Sequence, residues 1–158
     1  MSQSELSFLT ENLLRSALFG LSVLVVVTFF NGAVLIRINT AFATYCQSSS
    51  DHSSLSLHIR FITAVFKLCL VQILAMSLWT AAVFGVGLTE NLQLAFMFVG
   101  SCFTTLGIVS DIFPSQWQSV AFYIAFSGLF SFALATSVMI SLVTEVVKAI
   151  PKPAHAKV

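Results

Sequence analysis

Thr104, Thr105, Leu106 and Gly107, followed by Asp111, form the run in this chain whose residue types and spacing suit a chemical task. Two adjacent hydroxyls supply oxygen ligands, and a glycine frees the backbone for unusual dihedral angles. Carbonyl and hydroxyl oxygens on irregular backbone can replace the water shell of a cation. The task implied is ion coordination, with no covalent bond made or broken. Catalytic alternatives lack their parts. The apolar runs hold no histidine, and the acids near them, Glu90, Asp111 and Glu145, stand at their ends. There is no Gly-x-Ser-x-Gly and no His-Glu-x-x-His, so convergent nucleophile, base and metal sets are missing. Cys46, His52 and His58 match no metal-ligand spacing, and Cys69 and Cys102 read as small apolar side chains. No enzyme activity, cofactor or metal site is expected, and no basic patch points to nucleic acid.

The elements that must position this run are membrane helices. The chain has 158 residues, 58% hydrophobic and 8% charged, with a mean hydropathy of +0.98; soluble domains carry about 25% charged residues. Residues 1–14 are polar and acidic and lack the basic start of a cleavable leader, so the first apolar run is read as a retained span. That span is placed at 15–38. Its uncharged stretch between Arg15 and Arg37 covers about one hydrocarbon thickness as a helix. Asn31-Gly32 interrupts it and reads as a contact with another helix.

A polar connector follows at 39–56, with the loop-like tract Gln47-Ser48-Ser49-Ser50-Asp51-His52-Ser53-Ser54. A second apolar helix is expected at 57–87, where Arg60 and Lys67 share a face and reach for headgroups. Thr89 or Asn91 can cap a short helix at 91–104. Roughly 14 residues make only about 21 Å, too short to span, so this helix is expected to enter the bilayer and return. Irregular backbone at that depth survives where it is buried in protein or lines water. A last span is expected at 117–147, before a basic tail at 148–158.

Charge placement selects between topologies. Arg37, Arg60, Lys67, Lys148, Lys152 and Lys157 fall on one side if there are three spans and a re-entrant segment. Glu5, Glu11, Glu90, Asp111 and Arg15 then fall on the other. The basic side should be cytoplasmic, which puts the N-terminus outside and the C-terminus inside.

The order of apolar helix, short helix, Thr/Gly turn, Asp and apolar helix resembles the pore domain of the potassium-channel superfamily, over about 68–147. That family's filter reads Thr-Thr-Leu/Val-Gly-Tyr-Gly-Asp after the pore helix. Thr104-Thr105-Leu106-Gly107 match its first half, and Pro114 and Trp117 fall at the spacing of small bacterial members. Ile108 stands at the Tyr position, Val109 at the second Gly and Ser110 at Asp; one inserted residue restores Asp111.

The resemblance implies an all-α membrane fold, with three transmembrane helices, a re-entrant pore helix and a filter loop at 104–111. It implies four identical subunits around one axis in a bacterial inner membrane, passing a monovalent cation, K+ being the family's ion. Val109 departs from a row that favours glycine, so the filter is non-standard and potassium selectivity does not carry over. In the inner helix, Gly128 is expected as a gating bend, and Ser131, Ala135 and Thr136 as pore-lining residues. The first helix has no arginine ladder, so strong voltage sensing is not expected. The alternative is a non-conducting pore-like scaffold or accessory subunit that binds an unknown membrane partner.

Overall fold

The computed structural model describes residues 3–48, 54–107 and 117–149. Four helices account for almost all of them: α1 (Gln3–Ser48), α2 (Ser54–Gly85), α3 (Leu92–Phe103) and α4 (Gln118–Ala149). The four helices contain no proline. Long runs of Leu, Val, Ala and Phe can therefore keep every interior backbone group paired within its own segment, as lipid requires. α1, α2 and α4 are each long and apolar enough to cross a membrane, while α3 has only 12 residues. This is the architecture of a multi-pass membrane protein.

Side-chain pairs fix the helix directions. Ser16 meets Ser119 at 2.9 Å, Gly20 meets Tyr123, and Asn31 meets Ser131, so α1 and α4 run parallel. Phe19 stands edge-on to Trp117, with ring centroids 5.8 Å apart. Tyr45 meets Arg60 and Phe42 meets Phe61, so α2 runs against α1. The ends of α1 and α4 and the start of α2 thus share one end of the bundle.

α1 corrects the expected connector. Residues 39–48 are the last turns of a 46-residue helix, and α2 begins at Ser54 rather than at 57. The polar composition of this stretch marks where the helix leaves lipid, not where it stops. It contains no Gly or Pro, and Phe42 is buried against α2.

Two cores result. One joins Val27, Trp79, Phe98, Phe103 and Ile124 around α3, and the other joins Leu35, Phe42, Leu68 and Leu142 toward the opposite end. Between them lies a polar relay. Asn31 Nδ2 donates to Ser131 Oγ, which donates to Gln72 Oε1, while Gln72 Nε2 donates to the Ser131 carbonyl at 3.4 Å. One residue from each long helix takes part. The Asn31 notch is therefore a helix–helix contact, whereas a Cβ at Gly32 would meet nothing within 4 Å.

Candidate functional site

The site is the end of α3. Asn91 caps its start: Oδ1 accepts the amides of Gln93 at 2.9 Å and Leu94 at 3.4 Å. Ala95, Phe98, Val99, Ser101 and Phe103 form the buried face, wedged between α2 and α4. Glycines let the helix approach both neighbours. A Cβ on Gly100 would stand 3.0 Å from Met76 Cε, and one on Gly128 would stand 1.9 Å from the Phe103 carbonyl oxygen. Phe103 is fully buried and lies edge-on to Phe132, at 5.7 Å between centroids.

These contacts set a depth. Gly128 lies about ten residues, or ~15 Å, beyond the start of α4. Met76 lies about nine residues before the end of α2. The C-terminal end of α3 therefore sits well inside the length of both long helices.

Four amides after Phe103 fold back onto α3. Thr104 N–H donates to Gly100 O at 3.0 Å, Thr105 N–H to Cys102 O at 3.0 Å, Leu106 N–H to Ser101 O at 2.8 Å and Gly107 N–H to Ser101 O at 3.2 Å. The Thr105 and Leu106 bonds are the pair that defines a Schellman cap, with Thr105 in its left-handed position. Thr105 has φ 60° and is the only non-glycine residue at positive φ among those described. A β-branched residue is rarely tolerated there. α2 ends in the same motif, with Gly87 (φ 72°) in that position and Leu88 bonded to Val83. Gly107 follows at φ 63°.

The donors of this cap are satisfied, but three of its carbonyls have no partner among the described residues. Thr104 Oγ1 donates to Gly100 O at 2.7 Å and Thr105 Oγ1 to Thr104 O at 2.7 Å. The carbonyls of Thr105, Leu106 and Gly107 receive no hydrogen bond among the described residues. All four residues 104–107 are exposed, Leu106 by 66%. Helix carbonyl ends carry partial negative charge, and no Lys or Arg lies between Lys67 and Lys148 to oppose it. The arrangement suits a cation.

The structure brings Thr104, Thr105, Leu106 and Gly107 together; Ile108, Val109, Ser110 and Asp111 lie outside the described residues. Among the inner-helix candidates, Ser131 is corrected. It is 2% exposed and faces Asn31 and Gln72 inside the helix bundle, so it lines no opening within this chain. Ala135, one turn on, is half-buried against α2. Thr136 is exposed beside the α2–α4 groove, with Oγ1 bonded to Phe132 O at 2.8 Å. The outward face of α4 instead carries Ala133, Ser137 and Thr144. Gly128 lies in unbroken helix, and its lack of a side chain is already used by the approach of Phe103. Glu145 pairs with Lys148 at 2.8 Å. The three cysteines are free, and no cluster of metal-ligating side chains occurs among the described residues. No protein-family model, curated protein or solved structure matches this chain.

Proposed function

We propose that this chain is one subunit of a pore-loop cation channel, four copies surrounding an axis lined by Thr104–Gly107 and the residues up to Asp111. The observation that carries the reading is the depth of carbonyls that receive no hydrogen bond among the described residues. Thr105, Leu106 and Gly107 offer bare oxygens at the level of Gly128, partway along helices long enough to span. Backbone acceptors of that kind do not face lipid; they are covered by protein or line water. With α3 as a re-entrant helix, four such ends would replace the hydration shell of a monovalent cation, helped by the negative ends of the helix dipoles. The reading places the chain in a bacterial inner membrane, N-terminus outside and C-terminus cytoplasmic, following the basic residues at the α1–α2 end. It requires no cofactor and no catalytic residue.

One observation favours a second reading, a non-conducting scaffold or accessory subunit. The amides of Leu106 and Gly107 fold back on Ser101 and close α3 with a compact cap instead of an extended run. Val109 and Ile108 also depart from the potassium-channel pattern that the segment resembles. Cation flux into liposomes holding the purified chain, under potassium, sodium and divalent gradients, separates the two. The channel reading expects flux of a monovalent cation that Gly107→Val abolishes. Unchanged flux in Gly107→Val removes the site assignment, and absence of flux from a folded oligomer selects the scaffold.

A further inference from the structure

We propose that the groove between the end of α1 and the start of α2 binds a single anionic phospholipid. The cavity is about 360 Å³. Its floor is apolar, from Ile38 and Phe42 on α1 and Ala64 on α2, and its rim carries Arg60 and Lys67. The two halves of the lining match the two halves of a phospholipid. Phe42 and Ala64 are buried, so the floor is rigid, whereas both cationic side chains are exposed.

Neither cation belongs to an ion pair among the described residues, where the pairs are Arg15–Glu11 and Lys148–Glu145. The Arg60 guanidinium carbon lies over the Tyr45 ring, 3.8 Å from its centroid. This cation–π contact holds the group at the groove, and its N–H donors suit phosphate oxygens. Lys67 stands two helical turns further along α2, about 10 Å on, within reach of the same headgroup for a side chain that snorkels.

Depth agrees with a headgroup site. The charge-free stretch of α1 ends at Arg37, and that of α2 begins after Lys67. The antiparallel pairing of Tyr45 with Arg60 puts Arg37 and Lys67 at one level, the edge of the hydrocarbon. Arg60 and the floor residues then lie on the headgroup side of that edge, where the apolar floor meets the glycerol and first acyl carbons of a lipid. A basic pocket between helices at this level selects anionic lipid over zwitterionic lipid. A free phosphate would use the rim and leave the apolar floor wet.

The test is native mass spectrometry of the full chain taken from phosphatidylcholine nanodiscs containing increasing phosphatidylglycerol. The parent is expected to retain one phosphatidylglycerol per chain in preference to phosphatidylcholine. Arg60→Gln with Lys67→Gln should reduce that preference about thirty-fold, and Arg60→Lys with Lys67→Arg should retain most of it. Lys148→Gln, on α4 at the same end, should leave it unchanged. Ala41→Trp, which fills the groove and keeps both cations, should also release the lipid. Full retention in either the double Gln variant or Ala41→Trp would overturn the site. Displacement of the lipid by millimolar inorganic phosphate would overturn the lipid assignment in favour of a simple anion site.

Discussion

Thr105 is the residue where fold and proposed task pull apart. Gly87 and Thr105 occupy the same position in two helix caps of one motif, yet only Thr105 carries a branched side chain into the left-handed region. Such a conformation costs on the order of 1–2 kcal/mol. Thr105→Gly should therefore stabilise the chain by about 1 kcal/mol, read as a higher midpoint in thermal or denaturant unfolding in micelles. If the hydroxyl faces the ion, the same variant should show altered ion discrimination, a gain in stability set against a loss of function. Ser131 carries the opposite lesson. As a small residue on a membrane helix, it reads equally as lining or as packing in sequence, and the structure turns it into a relay between Asn31 and Gln72. Ser131→Ala should destabilise the chain by about 1 kcal/mol, the usual worth of interhelical hydrogen bonds in membranes. A double-mutant cycle with Gln72→Leu should show coupling between the two positions.

The helices themselves were legible because length and charge are coarse signals. Arg15, Arg37, Lys67 and Lys148 bracket the apolar runs, and the short helix between Asn91 and Thr104 announced itself by its cap and its brevity. The faces were not legible. Lipid and core are both apolar, so a membrane helix lacks the polar stripe that tells inside from outside in a soluble protein. Phe122, Phe126 and Phe130 are exposed, while Phe103 and Phe98 are buried, and residue type does not separate them. The connector was misplaced for a related reason: in 39–48, polar composition signals water, which ends a span without ending a helix. Glycines give the element prediction. Gly128→Ala drives a Cβ into the Phe103 carbonyl, where only backbone can yield. It should cost about 2–3 kcal/mol by overpacking and lift α3 off α4, abolishing any flux. Gly32→Ala meets nothing within 4 Å and should be neutral or stabilising by up to about 1 kcal/mol. Comparing the two variants by unfolding and by flux separates a helix–helix contact from helix propensity.

A single copy leaves both apolar and polar surface uncovered along its helices. Phe29, Val26, Ile36 and Ile140 are open along the long helices, as lipid allows. The carbonyls of Thr105, Leu106 and Gly107 receive no hydrogen bond among the described residues, and at the membrane depth that the proposed re-entrant helix gives them, lipid would not allow that. Leu106 sharpens the point. Leu88, its counterpart in the α2 cap, packs against the core beside Val83, whereas Leu106 is 66% exposed. The cap motif calls for an apolar contact at this position, and one chain does not supply it. Further copies around an axis at the end of α3 would supply the contact and turn the bare oxygens toward water together. A Leu106→Cys substitution in a chain otherwise free of cysteine tests this directly. Under mild oxidation in the membrane, a closed ring with Leu106 near its axis should give disulfide-linked dimers at high yield. A cysteine at Phe29, on the far face of α1, should give almost none. Native mass measurement of the uncrosslinked parent should then show four copies. A monomeric mass, with equal crosslinking at both positions, would leave the exposed carbonyls without cover and remove the argument for a pore.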